Sequence, residues 1–269
     1  MKIEVKKKVV KKWFIKLQNI ICNSIEQLEK EHGSKIKFKR NKWKYGEFRI
    51  IKGNVIEKGG VAFSNVKGKF SREFAKKIPG TKKNINFWSS GVSVVLHPKN
   101  PKAPAMHFNT RFICTEKSWF GGGIDLTPCI IDNKEKKYFH SYLKKICDLH
   151  DKKYYPKYKK WCDEYFYLPH RKEPRGVGGI FFDYKMSNWE KDFLFVKEIG
   201  IGFDYLVRKI IGQKMFLKWT KNEKKIQLLK RGRYVEFNLM YDRGTIFGLN
   251  SGGNPDAILM SMPPTADWK

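Results

Sequence analysis

Apolar residues recur with two different periods along this 269-residue chain. Val10, Trp13, Phe14, Leu17, Ile20, Ile21, Ile25 and Leu28 stand mostly three or four positions apart. That spacing predicts an amphipathic helix over roughly Lys6–His32, stopped by Gly33 in a left-handed turn. From Lys35 to Asn65 short runs punctuated by Gly53, Gly59 and Gly60 predict strands. Further strands are expected at Gly91–His97, Met106–Thr115 and Gly178–Tyr184, the first two joined by the turn-rich Pro98–Pro104. Helical spacing returns at about Lys134–His150, Pro156–Leu168 and Trp189–Gly212, and again near Lys221–Leu229. Gly252 and Gly253 mark a late turn. No repeat or linker divides residues 1–269, so one domain is expected. Strands cluster early and late with helices between and around them, which suits an α+β fold with an antiparallel sheet.

Three segments place polar groups where a core has no need of them. In a strand, successive side chains point to opposite faces. Ser93 and His97 therefore share one face of their segment. In the next, His107, Asn109 and Arg111 share a face, with Phe108 and Phe112 on the other. Over Arg233–Arg243, Val235, Phe237, Leu239 and Tyr241 alternate with Glu236, Asn238 and Asp242, which predicts a third strand of this kind. Such strands imply a polar cavity over a sheet, suited to holding an anion and moving protons. His107 is the leading acid–base candidate, because Asn109 and a fixed cation, Arg111, share its face. Asp242 is the second, because a carboxylate ending a polar strand face is costly to bury without a partner or a task.

Composition narrows the partners. The chain carries 56 Lys and Arg against 26 Asp and Glu, a formal charge of +30. The lysines are scattered from Lys2 to Lys230 in pairs and triplets rather than gathered in a stripe, which reads as a solvated surface with a general pull on anions. A lysine-rich nucleic-acid-binding protein is the rival class. No run of 18 apolar residues exists, so no membrane span is expected. The start resembles an amphipathic segment rather than a secretion signal. Five dispersed cysteines without a CxxC pair suggest reduced thiols in a cytoplasmic setting.

The remaining motifs exclude more than they assign. Four histidines, His97, His107, His140 and His170, lie beside the informative segments, but no HxH or HExxH spacing joins them into a metal set. A histidine-metal hydrolase would also leave the glycine run unexplained. Gly121, Gly122 and Gly123 lack a following Lys-Ser/Thr and any GxGxxG, so a nucleotide loop fits poorly. They form either a tight turn or a backbone that a bulky flat ligand approaches, with Asp125 at its edge. Arg171, Glu173 and Arg175 read as a surface ion-pair cluster. No GxSxG elbow supports a serine nucleophile.

Longer motifs carry a resemblance. His107-Phe-Asn109-Thr110-Arg111, Phe120-Gly-Gly-Gly-Ile-Asp125-Leu-Thr-Pro128 and Tyr158-Lys-Lys-Trp161-Cys-Asp-Glu-Tyr165 resemble oxygen-dependent coproporphyrinogen III oxidases. So do His170-Arg171-Lys-Glu173-Pro-Arg175 running to Asp183, Arg231-Gly-Arg-Tyr234 running to Thr245, and Ile258 to Pro264. The match runs in order from about Gly91 onward. It implies a broad antiparallel sheet with helices on both faces, assembled as a cytoplasmic homodimer. It implies conversion of two propionates of coproporphyrinogen III to vinyl groups, giving protoporphyrinogen IX in haem synthesis. Molecular oxygen is then the co-substrate, with no flavin or haem and with a divalent metal cation sometimes invoked. The positions matching substrate contacts are Ser93, Asn109, Thr110, Arg111, Gly252, Gly253 and Asn254, the last standing where an arginine can follow the glycine pair. His97, His107, His140 and His170 match metal-associated histidines, with His107 as proton donor. With this substrate, Arg111 and Arg243 would anchor carboxylates and Asp242 would accept pyrrole N–H bonds. The chain also ends soon after Pro264, where relatives are expected to run on.

Overall fold

The computed structural model describes residues 1–250 and 253–268. It opens with a long helix, α1 (Ile3–Glu31). Three strands follow, β1 (Lys39–Trp43), β2 (Gly46–Ile51) and β3 (Ile56–Lys69). After one turn of helix, α2 (Arg72–Ala75), come β4 (Asn86–Pro98), β5 (Ala105–Cys114) and β6 (Ser118–Thr127). Helices α3 (Asn133–Asp148) and α4 (Tyr154–Tyr165) lead to a two-residue pair, β7 (Tyr167–Leu168) and β8 (Glu173–Pro174). The last strand is β9 (Gly179–Lys185). The chain closes with α5 (Trp189–Lys214), α6 (Lys221–Met240), α7 (Arg243–Asn250) and α8 (Pro255–Ile258), followed by a 3-10 turn at Leu259–Ser261.

Seven strands form one antiparallel sheet in the order β1-β2-β3-β4-β5-β6-β9. Alternation sorts each strand's residues between its faces. One face carries Val92, Val94, Leu96, Met106, Phe108, Phe112, Ile124 and Phe182, all buried. Against it pack α1, through Phe14, Leu17, Ile21 and Ile25, and α5, through Phe195, Ile199, Phe203 and Leu206. Leu17 lies so close to α5 that a Cβ at Gly200 would stand 2.7 Å from its Cδ2. Buried Glu29 ties α1 to the turn before β3 by accepting from the backbone N–H groups of Asn54, Val55 and Ile56. The opposite face is covered at one end by α6 and by the 3-10 turn, where Met260 packs on Phe48 and Ala62.

Two expectations need correction. The glycine run is not a tight turn, since all three glycines lie inside β6. The predicted third polar strand does not exist, because Arg233–Met240 forms the second half of α6. Its buried residues, Gln227, Arg231, Gly232, Tyr234, Phe237 and Asn238, are spaced four, one, two, three and one, a helical stripe. Leu239, which alternation grouped with the apolar face, is about half exposed, at 49%. The capping box of Thr220 and Glu223 starts this helix, and its length carries it past the predicted Leu229.

Candidate active site

The uncovered part of the sheet is a floor with few side chains on it. Register places Ala62 opposite Ser93, Ser93 opposite Asn109 and Asn109 opposite Gly123. Gly91, Arg111 and Gly121 continue the same face one step along, and Val95, His107 and Asp125 one step the other way. Expected neighbours Ser93, His107, Asn109 and Arg111 therefore do share one surface. Thr110 does not join them with its side chain, which points into the apolar layer and is 2% exposed.

At one end of the floor His107 Nδ1 lies 2.5 Å from Asp125 Oδ2. Asp125 Oδ1 accepts from the Arg175 guanidinium. Asp125 and Arg175 are both buried. Burial alone pushes the Asp125 carboxyl upward, but Arg175 and His107 outweigh it and hold the group below its usual range. Arg175 stacks over Phe166, Tyr234 and Phe237, its guanidinium carbon 4.0, 4.6 and 4.8 Å from the ring centroids. A carboxylate so placed fixes the proton of His107 on Nδ1 and leaves Nε2 without a protein hydrogen-bond partner among the described residues. Arg175 is thus a buried anchor, not part of a surface cluster. Arg171 and Glu173 do belong to a surface set, Arg171 on Glu236 and Glu173 on Lys230 and Arg233.

At the other end Arg111 Nη2 donates to Asp183 Oδ2 at 2.6 Å, and Nη1 reaches Asn109 Oδ1 at 3.3 Å. No local period marks Asp183, and only its register on β9 brings it to Arg111. Tyr165 stacks on Phe181 with centroids 4.7 Å apart and forms a wall beside the floor. Asp242 meets this wall rather than a strand face. Its Oδ1 accepts from the Tyr165 hydroxyl at 2.9 Å, and Oδ2 accepts from Thr245 N–H at 2.7 Å. It caps α7, and both oxygens are already engaged. Arg243 is exposed, with its guanidinium carbon 5.5 Å from the Tyr165 ring centroid. Asn254 caps α8 by accepting from Ala257 N–H. Gly253 N–H bonds Gly248 O at 2.9 Å, and Gly252 lies outside the described residues.

The four histidines do not converge. His97 is buried, bonds Ser261 O through Nε2 at 2.8 Å, and is pushed down to about 3 by burial. His140 joins Val177 O and the Tyr155 hydroxyl, and burial pushes it down as well. His170 joins Glu236 and the Tyr241 hydroxyl. Among the described residues no group of three His, Cys, Asp or Glu side chains is placed to hold a metal ion. The described residues do not fit a metal centre.

Residues 9–269 match the family described as Coproporphyrinogen III oxidase. The chain belongs to that family. It is 50% identical to the oxygen-dependent coproporphyrinogen-III oxidase of Rickettsia akari (strain Hartford), covering 98% of each chain. It is 49% identical to the protein of that name from Rickettsia bellii (strain OSU 85-389), over 97% of this chain and 98% of the relative. The Rickettsia rickettsii (strain Sheila Smith) protein of the same name is 50% identical over 96% of each. No helix among the described residues is long and apolar enough to cross a membrane.

Proposed function

We propose that this family member catalyses the oxygen-dependent oxidative decarboxylation of two propionates of coproporphyrinogen III to vinyl groups. The observation that carries the reading is the floor: a broad strip of Gly, Ala and Ser with a proton-handling dyad at one end and a fixed cation at the other. Near full-length identity to relatives bearing that name supports the substrate.

A tetracarboxylate macrocycle needs a wide, low surface for its body and cations for its rim. Gly91 and Gly123 add no side chain to the floor, Gly121 makes room for the Arg111–Asp183 pair that lies over it, and Arg111 takes a carboxylate by paired hydrogen bonds. Each conversion then balances as R–CH2–CH2–CO2− + O2 + H+ → R–CH=CH2 + CO2 + H2O2. The β-carbon gives up a proton and two electrons as the carboxylate carbon leaves as carbon dioxide. Oxygen takes two electrons and two protons, one of them from outside the substrate. His107 is our candidate to relay that proton: with Nδ1–H held by Asp125, Nε2 takes up a proton from solvent and passes it to the reduced oxygen, while Arg175 keeps the dyad aimed. Asp242 is assigned no bond to substrate, since its oxygens cap α7 and hold Tyr165.

The reading includes a homodimer and a cytoplasmic setting. Five free cysteines without a disulfide agree with a reducing compartment. The test is an aerobic assay with coproporphyrinogen III, read as protoporphyrin fluorescence after oxidation. Product should form with about one oxygen consumed per vinyl group, by the balance above. Equal turnover under strict anaerobiosis would overturn the proposal.

A further inference from the structure

Strand β9 makes a detour that serves one side chain. The register between β6 and β9 shifts between Phe120, which faces Lys185, and Gly122, which faces Phe182. Asp183 and Tyr184 together therefore stand opposite Gly121, a β-bulge. Tyr184 takes a left-handed φ of 53°, a conformation disfavoured for any residue with a bulky side chain. Strict alternation would put Lys185 on the same face as Phe181 and Asp183. The extra residue turns Lys185 to the buried side instead, where it lies 2.8 Å from Asp192. Asp183 is left on the floor, with Phe181 beside it.

The carboxylate is then locked from two sides. Asp183 Oδ1 accepts from Tyr184 N–H at 2.9 Å, the amide that the bulge re-aims, and Oδ2 accepts from Arg111 Nη2 at 2.6 Å. Across the bulge, a Cβ on Gly121 would stand 2.5 Å from Asp183 Oδ1 and 3.0 Å from Arg111 Nη2. Only glycine at 121 lets the ion pair lie flat on the sheet. A bulge with a left-handed tyrosine, a bare Cα and a doubly held carboxylate all bear on the aim of one guanidinium. Bulges re-aim side chains beside active sites, and backbone strain persists where a function requires it.

We infer that Asp183 is a positioning residue for substrate recognition, acting through Arg111. Held against Gly121, Arg111 spends one N–H on Asp183 and one on Asn109, and its remaining donors have no protein acceptor among the described residues, on a side chain that is 28% exposed. They take a carboxylate of the macrocycle, so this inference rests on the proposed decarboxylation. Asp183 itself touches no substrate. Its loss releases a long cation that must then be ordered again on every binding event.

The experiment is a double-mutant cycle over Asp183→Ala and Arg111→Ala in the full-length protein. It is read both as KM for coproporphyrinogen III and as Kd for the oxidised probe coproporphyrin III. Asp183→Ala should raise both constants on the order of tenfold, with kcat changed less than about threefold. In the Arg111→Ala background the same substitution should change neither. Gly121→Ala should raise KM and Kd in the same direction without touching either charge. Should Asp183→Ala fail to fold, Asp183→Asn enters the same cycle. Equal effects of the Asp183 substitution in both backgrounds, or none in the first, overturn the inference while wild-type turnover upholds the reaction. A wild-type protein that makes no product overturns the reaction, and the Kd arm still decides whether Asp183 acts through Arg111.

Discussion

The two faces of the central sheet are built from the same strands and do opposite work. On the face under α1 and α5, β4, β5 and β6 present Val, Leu, Met, Phe and Ile with essentially no exposure. On the other they present Gly, Ser, Asn, His and Arg, and every charged group on the floor is held by a partner. The first face gains from area removed from water and tolerates no gap. The second does without bulk and draws its order from ion pairs. A change on the first face should therefore cost stability and a change on the second should cost chemistry.

The sharpest way to break that division is His107→Ala. Turnover per folded molecule should fall by roughly 10²–10⁴, the usual contribution of a positioned acid–base group, with little change in urea midpoint. An active variant would remove His107 from the chemistry. Phe108→Ala, one residue along the same strand, should do the reverse. It should lose about 3–5 kcal/mol in denaturant unfolding, while the surviving folded protein keeps its KM. A KM change of the size seen on the floor would mean the two faces are not separable.

His97 tests where the polar face turns dry. It lies under α6 with its ring edge-on to Tyr234, centroids 5.0 Å apart. Burial pushes its pKa from an ordinary 6.5 down to about 3, so between those values the unfolded chain binds a proton that the folded chain refuses. Stability present above pH 6.5 should be lost progressively as pH falls toward 3. Unfolding midpoints measured from pH 7 to pH 4 should fall less steeply in His97→Gln than in the wild type. Parallel curves would show that the imidazole stays accessible to protons. The smallest effect expected is that of Asp242→Ala, about 1 kcal/mol from loss of the α7 cap. A hundredfold loss of turnover without loss of stability would instead return Asp242 to the substrate.

Legibility in the sequence followed how local each signal was. The stripe of Val10, Phe14, Leu17, Ile21 and Ile25 and the alternation from Met106 to Phe112 were readable because each element's own period set which face it buries. Arg233–Arg243 misled because the same residues satisfy both periods. Tyr234, Phe237 and Tyr241 make a helical stripe, while Val235, Phe237 and Leu239 imitate a strand. The glycine run was ambiguous for a different reason. A strand of glycines has no periodicity of its own, and its extended form comes from pairing with β5 and β9.

By itself, then, the sequence determined the α+β class, the two faces of β4 and β5, and the placing of His107, Asn109 and Arg111 on one surface. These follow from backbone geometry that any paired strand imposes. Only the tertiary structure decided which partners those groups take. Asp125 meets His107 because β6 pairs with β5 in one register, and Arg175 reaches Asp125 from a segment fifty residues further along. Asp183 reaches Arg111 because β9 bulges opposite Gly121. His97, His140 and His170, alike in sequence, are drawn to separate partners by separate elements. The cost of burying a polar group without a partner is paid only in the folded chain, so its partners are chosen there.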